Sequence, residues 1–178
     1  MIRIGNLLLR KPTLQDAEQL VKLKNDKESA LLLGGVHAEY SLDDIIRWID
    51  FHNSKKDELL LVIEDTEVSK LIGHVGLYKI DSIAKKTEYG ILIASKGYKG
   101  KGVGTACTQC LTNYAFDQLE MHKVTAEVLA ENKASFAMFK KCGYTIDGIL
   151  RDDVFKNGRY YDVYSLSILN TERRNMIL

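Results

Sequence analysis

The chain has 178 residues, with 25 lysines and arginines against 24 aspartates and glutamates. That length suits a single domain, 1–178, able to bury its own core without staples, and the balanced charge excludes a polyanion-binding surface spread over the whole chain. No apolar run approaches the ~18 residues of a membrane span, and the first residues read as a strand rather than a leader, so a cytoplasmic location is expected, with no membrane and no nucleic-acid partner.

Residues Ile2 to Lys11 have a strand pattern that can turn as a small hairpin at Gly5-Asn6. Thr13, with Asp16 three residues on, then opens a helix whose apolar positions are Leu14, Ala17, Leu20, Val21 and Leu23. A second helix starts at Ser41 with the stripe Leu42, Ile45, Ile46 and Ile49, and Gly34-Gly35 falls in the loop between the two. Three strands follow: Leu59 to Glu64, Leu71 to Ile80 and Lys86 to Ala94. Behind a glycine-rich loop, Val103, Ala106, Cys107, Cys110, Leu111, Tyr114, Ala115 and Leu119 recur at three-and-four spacing, the strongest helical pattern in the chain. A strand from His122 to Leu129, a helix from Asn132 to Cys142 closed by Gly143, and two strands flanking Asn157-Gly158 complete the order. The pattern is that of an α/β or α+β sheet protein with mixed strand directions. Cys107, Cys110 and Cys142 lack a second ligand pair at metal spacing, so they read as small buried hydrophobes and no metal is expected.

The loop Tyr98-Lys-Gly-Lys-Gly-Val-Gly104 is the most informative segment. Glycines between a strand and a helix let backbone N–H groups approach a phosphate, and the helix N-terminus adds positive potential. It is not a Walker A loop, because Gly97 and Gly102 are followed by Val103 and Gly104 instead of Lys-Ser or Lys-Thr. Nor is it the dinucleotide fingerprint, since Thr105 stands where the third glycine belongs.

Lys99-Gly100-Lys101-Gly102-Val103-Gly104 does match the acyl-CoA pyrophosphate loop R/Q-x-x-G-x-G/A, and with it the chain resembles the GNAT superfamily of N-acetyltransferases. "TEYGILIASKGYKGKGVGT" is similar to that family's central strand and loop. "EMHKVTAEVLAENKASFAMFKKCGY" is similar to its next strand and helix, and "DGILRDDVFKNGRYYDVYSLSIL" to the closing hairpin of the RimJ/RimL branch, which includes bacterial spermidine acetyltransferases. The resemblance spans roughly Leu71 to Leu169 and implies a mixed, mostly antiparallel sheet of about seven strands, splayed at its centre and flanked by four helices. It implies acetyl-CoA as cosubstrate and a primary amine as acceptor, and leaves the oligomeric state open, a homodimer through the C-terminal strands or the first helices being common in this branch. Lys99 replaces the usual arginine or glutamine, keeping the cation but losing the bidentate fork.

The implied reaction is attack of an amine on the acetyl thioester. An alkylamine of pKa near ~10 must lose a proton first, so a group has to accept it, directly or through water. Glu88, on the central strand, is the catalytic candidate, as base or amine anchor; the alternative is a solvent-facing residue paired with a lysine such as Lys85 or Lys86. His74 is a weaker candidate on the preceding strand, and His122 reads as a packing or hydrogen-bonding residue. By resemblance, the backbone of Ile91, Leu92 and Ile93 should hold the thioester and pantetheine and stabilise the oxyanion. Lys99 to Gly104 and Thr105 should take the pyrophosphate, and Asn132 and Ser135 the opposite wall, Asn132 also reading as a helix N-cap.

Phe139 occupies the place where many members carry a tyrosine that protonates the leaving thiolate. A phenyl ring cannot donate a proton, but a thiol of pKa ~8.5 already leaves well, and expelling it as thiolate at pH 7 costs roughly 2 kcal/mol. The substitution shifts the expected acceptor from polyamines toward the general branch, and Tyr144 reads as core rather than acid. The acidic residues Asp43, Asp44, Asp50, Asp57, Glu58, Asp152, Asp153 and Asp162 could form a recess for a cation or be solvated surface. The acceptor thus stays open among a protein N-terminus, a polyamine, an amino sugar and an amino-bearing antibiotic. An acyl-CoA-binding module without catalysis, or a nucleotide-binding regulator, is the competing class.

Overall fold

The computed structural model describes residues 1–33 and 39–173, so Gly34 and Gly35 lie outside the described residues. Two strands, β1 (Ile2–Ile4) and β2 (Leu7–Arg10), form the hairpin at Gly5-Asn6, with Ile4 opposite Leu7. A short 3₁₀ turn at Leu14–Asp16 leads into α1 (Ala17–Lys24). The Asp16 carboxylate accepts from the Thr13 backbone N–H at 2.7 Å and is clamped by Arg10 at 2.7 and 2.8 Å, so the helix start is fastened to β2. After α2 (Lys27–Leu31) comes α3 (Leu42–Ser54), where Ser41 and Asp44 form a reciprocal cap.

The sheet continues with β3 (Leu59–Asp65), β4 (Lys70–Asp81) and β5 (Lys86–Ile93); then α4 (Val103–Asp117), β6 (Lys123–Leu129), α5 (Lys133–Lys141), β7 (Thr145–Lys156) and β8 (Arg159–Leu169) complete the chain. The strand order is β1-β2-β3-β4-β5-β6-β8-β7, and every neighbouring pair is antiparallel except β5 with β6. Among the described residues, the expected seven strands and four helices become eight strands and five α-helices. The N-terminal run divides at Gly5, which takes φ +58°, and Lys27–Leu31 adds a helix too short for its periodicity to show.

Alternating side chains divide the core between the two sheet faces. On one, Tyr89, Val124, Ala126 and Val128 pack with Cys107, Leu111 and Ala115 of α4 and Phe139 of α5. On the other, Val62, Leu71 and Leu92 pack with Leu20, Ile45 and Ile49 of α1 and α3. Burying each such leucine or isoleucine contributes about 1.5–3 kcal/mol, which holds both helical layers on one sheet. Cys107 and Cys142 are buried and Cys110 only partly so, and all three are free thiols.

Candidate active site

Sheet pairing fails at one place. β5 and β6 run parallel and pair from Lys86–Glu88 to Lys123–Thr125, after which, among the described residues, no strand pairs with β5 on that side. On the other side β5 stays paired with β4 up to Ile93, and Ala94 donates to Ile72 O at 3.1 Å. Alternation of hydrogen bonding along an antiparallel strand then turns Gly90 and Leu92 toward β4 and leaves the N–H and C=O of Ile91 and Ile93 facing the gap. Main-chain groups left open inside a protein call for a partner, and here they form the edge to which an extended ligand can add.

The gap leads to the N-terminus of α4. Gly100 and Gly102 take φ +75° and +80°, a left-handed conformation that costs a residue with a side chain roughly 1–2 kcal/mol. Among the described residues nothing lies within 4 Å of the position a Cβ would occupy on either glycine, so the loop presents bare backbone. The first helical bond is Ala106 N–H to Gly102 O at 2.9 Å, which leaves the N–H groups of Val103, Gly104 and Thr105 without intrahelical acceptors. Together they make an anion cradle at the positive end of a 15-residue helix.

A cavity of about 420 Å³ joins these features. Ile91, Leu92 and Ile93 line one side, Lys99, Gly100, Gly102, Gly104 and Thr105 one end, and Asn132, Ser135 and Met138 the opposite wall. Lys101 and Val103 fall outside this lining: Lys101 is exposed and the Val103 side chain packs on the core, leaving its N–H as its contribution. Lys99 Nζ donates to Ser29 Oγ at 3.1 Å and lies 3.6 Å from Glu28. Asn132 caps α5 by accepting from Ser135 N–H at 3.1 Å, while its Nδ2 donates to Leu32 O at 3.0 Å.

A second cavity, about 170 Å³, shares Ile91, Asn132 and Ser135 with the first and passes through the gap between the strands. Tyr89, Val128 and Phe139 bound it on the α4–α5 side, and Glu127, Leu129, Val154 and Val163 on the other. Glu127 lies two residues beyond Thr125, where the strands part, and lines the second cavity together with Gly90 of β5. Desolvation, then repulsion from Glu88 and Asp153, raises its carboxyl above the ordinary range. Sequence reasoning passed over this residue, whose position in an alternating strand is that of an ordinary outward side chain.

Glu88 lies near Glu127 but lines neither cavity; its carboxylate accepts from Lys79 Nζ at 2.7 Å. His74 stands opposite Leu92 and therefore faces α3, with Trp48 at 5.4 Å. Burial, then the charge of Lys24, lowers it to about 3, so the ring is neutral and a poor base. His122 is exposed and serves through its backbone, donating to Lys85 O and accepting from Asn170 N.

Phe139 stacks edge-on against Tyr89 at 5.8 Å and Tyr144 at 5.0 Å. The Tyr89 hydroxyl donates to Thr108 Oγ1 at 2.9 Å, because Thr108 spends its own proton on Gly104 O at 2.7 Å, and Tyr144, bonded to Thr112 at 2.8 Å, lines neither cavity.

Comparison with known proteins gives this geometry a family. Residues 6–145 match the model of the acetyltransferase (GNAT) domain. The chain is 32% identical over 135 residues to spermidine N(1)-acetyltransferase of Vibrio cholerae, covering 76% of this chain and 77% of that one. It is 34% identical over 102 residues to the putative ribosomal N-acetyltransferase YdaF of Bacillus subtilis, 57% of this chain and 55% of the relative. The crystal structure of the Vibrio cholerae spermidine N-acetyltransferase in complex with CoA and spermine superimposes with a TM-score of 0.86 at 28% identity, covering 97% and 100% of the two chains. A split sheet edge, an open helix N-terminus and a cavity joining them are thus features of a chain that belongs to the GNAT acetyltransferase family, as an acetyl-CoA-dependent N-acetyltransferase.

Proposed function

We propose that this chain acetylates a cationic primary amine, with Glu127 as the proton acceptor and Glu88 as an anchor for the incoming cation. The observation that supports this most is the slot through the sheet, with open main chain of Ile91 on one lip and the Glu127 carboxylate on the other. Acetyl-CoA supplies the thioester carbonyl carbon on which the C–N bond forms as the C–S bond breaks. The N–H groups of Val103, Gly104 and Thr105, with Lys99, hold the pyrophosphate. Main chain of Ile91 and Ile93 holds the pantetheine, and one of these N–H groups donates to the carbonyl oxygen as negative charge develops there. Asn132 and Ser135 form the opposite wall.

Glu127 takes the amine proton, directly or through one water, and its raised pKa makes it a stronger base than an ordinary carboxylate. Phe139, Tyr89 and Tyr144 deliver no proton, so the sulfur leaves as thiolate and is protonated from solvent. Of the acidic residues that might have formed a recess, Asp44 is a helix cap, Glu58 pairs with His52, and Asp162 Oδ1 accepts from Asp152 N at 2.9 Å; Asp153 is near enough to repel Glu127, and with Glu88 these two make the acidic group at the acceptor end. Negative charge there favours a polyamine or another polycation; the relative acting on spermidine agrees, while the ribosomal relative keeps a protein N-terminus as the second reading. A homodimer through the unpaired edge of β7, where Ile146, Ile149 and Phe155 are exposed, and a reducing cytoplasmic setting for three free thiols belong to the same proposal.

The test is thiol release from acetyl-CoA over a panel of polyamines, N-terminal peptides and amino sugars, with wild type, Glu127→Gln and Glu88→Gln. We expect Glu127→Gln to lower kcat by about 10²- to 10⁴-fold and Glu88→Gln to act mainly on the KM for the amine. Tight CoA binding without turnover of any amine would return the chain to the class of a binding module.

A further inference from the structure

Residues 26–33 cross the cleft from one wall to the other. At the loop end, Asp26 accepts from Ser29 N–H at 2.9 Å, Glu28 lies 3.0 Å from Lys96, and Ser29 accepts from Lys99 Nζ. At the far end Asn132 Nδ2 holds Leu32 O, and Lys156 Nζ donates to Leu33 O at 2.8 Å from 123 residues away. Leu32 and Leu33 then line both cavities. Lys156, at the end of β7 beside the hairpin turn, is only 6% exposed, an unusual site for an ammonium. One of its bonds goes to the main chain of this strap, and through that bond Lys156 fixes the strap's position whatever side chain stands there.

We propose that Lys156 is a positioning residue for cofactor binding: it holds residues 32–33 down as the roof over the channel that takes the pantetheine arm. The inference rests on the CoA reading above. The roof lies over the apolar middle of the channel, beside Ile91, Ile93 and Met138, whereas the phosphates are met at the α4 N-terminus. Loosening the strap should therefore weaken ligands that carry the arm and spare those that carry only the phosphates. A merely structural role for Lys156 would affect both alike.

The experiment compares affinities for CoA and for 3′,5′-ADP, with KM and kcat for acetyl-CoA, in wild type, Lys156→Met, Lys156→Arg and Asp26→Ala. Loss of the Lys156 bond should weaken CoA about five- to twentyfold and raise KM to match, with 3′,5′-ADP and kcat within about twofold. Lys156→Arg should restore most of the loss, and Asp26→Ala, which loosens the other end, should give the same split at about two- to fivefold. CoA affinity unchanged in both Lys156→Met and Asp26→Ala, or lost equally for CoA and 3′,5′-ADP, overturns the inference. Should Lys156→Met not fold, Asp26→Ala decides by the same criterion. Wild type that binds 3′,5′-ADP and CoA equally would also defeat the roof, and wild type that binds neither defeats the CoA reading beneath it.

Discussion

Lowering the pH from 7 to 5 should destabilise the fold through His74. Its Nδ1 is out of solvent without a hydrogen-bond partner among the described residues, and burial, then Lys24 and His52, depresses its pKa from 6.5 to about 3. Between those values the unfolded chain binds the proton and the folded chain does not, so stability rises with pH through the window and falls on acidification. At pH 5 the difference from pH 7 is about 1.4 pK units of proton binding, or about 2 kcal/mol. For a chain of this size that is a fall in Tm of about 4–8 °C. His74→Leu removes the titrating group and an orphaned polar atom together, so at pH 7 it should be neutral or stabilising by up to about 1 kcal/mol. Thermal and urea unfolding of wild type and variant at both pH values isolate this contribution from that of the carboxylates they share. Equal losses in the two proteins, within about 0.5 kcal/mol, would refute the placement of a neutral imidazole against Trp48.

Other consequences are as direct. Gly102→Ala should cost about 1–2 kcal/mol from left-handed strain and weaken CoA by more than about tenfold, because the new methyl stands in the anion cradle. Gly97→Ala, whose Cβ also meets nothing within 4 Å but whose φ is ordinary, is the control; equal CoA loss in both would misplace the pyrophosphate. Tyr89→Phe and Tyr144→Phe should each leave kcat within about threefold and cost about 1 kcal/mol of stability, since each hydroxyl serves a threonine of α4. A fall beyond about 10²-fold in either kcat would identify that tyrosine as the general acid.

Much of the fold was legible because local chemistry and tertiary packing agree. The cap at Thr13-Asp16, the helix start at Ser41, the helix behind the glycine loop and the hairpin at Asn157-Gly158 all stand where their residues predict. What escaped is the part whose support is remote. Lys27–Leu31 is five residues long and is held by Lys96 and Lys99 from another segment, so no periodicity announces it. The splay of β5 from β6 leaves no mark in either strand, since Ile91 and Val128 would be equally at home in a closed sheet; only the family resemblance anticipated it. Glu127 reads as an ordinary outward residue of an alternating strand until the gap opens beside it. Glu88 was placed from its position on the strand, and the lysine beside it is Lys79, brought there by the irregular end of β4 instead of by sequence proximity.

Amide hydrogen exchange with and without CoA tests the central claim most directly, because it reads the main-chain donors themselves. Saturating CoA should slow exchange at Ile91, Ile93, Val103, Gly104 and Thr105 by about tenfold or more relative to the free protein. Binding of CoA that leaves these five amides unchanged, with protection appearing elsewhere on the sheet, would contradict the site.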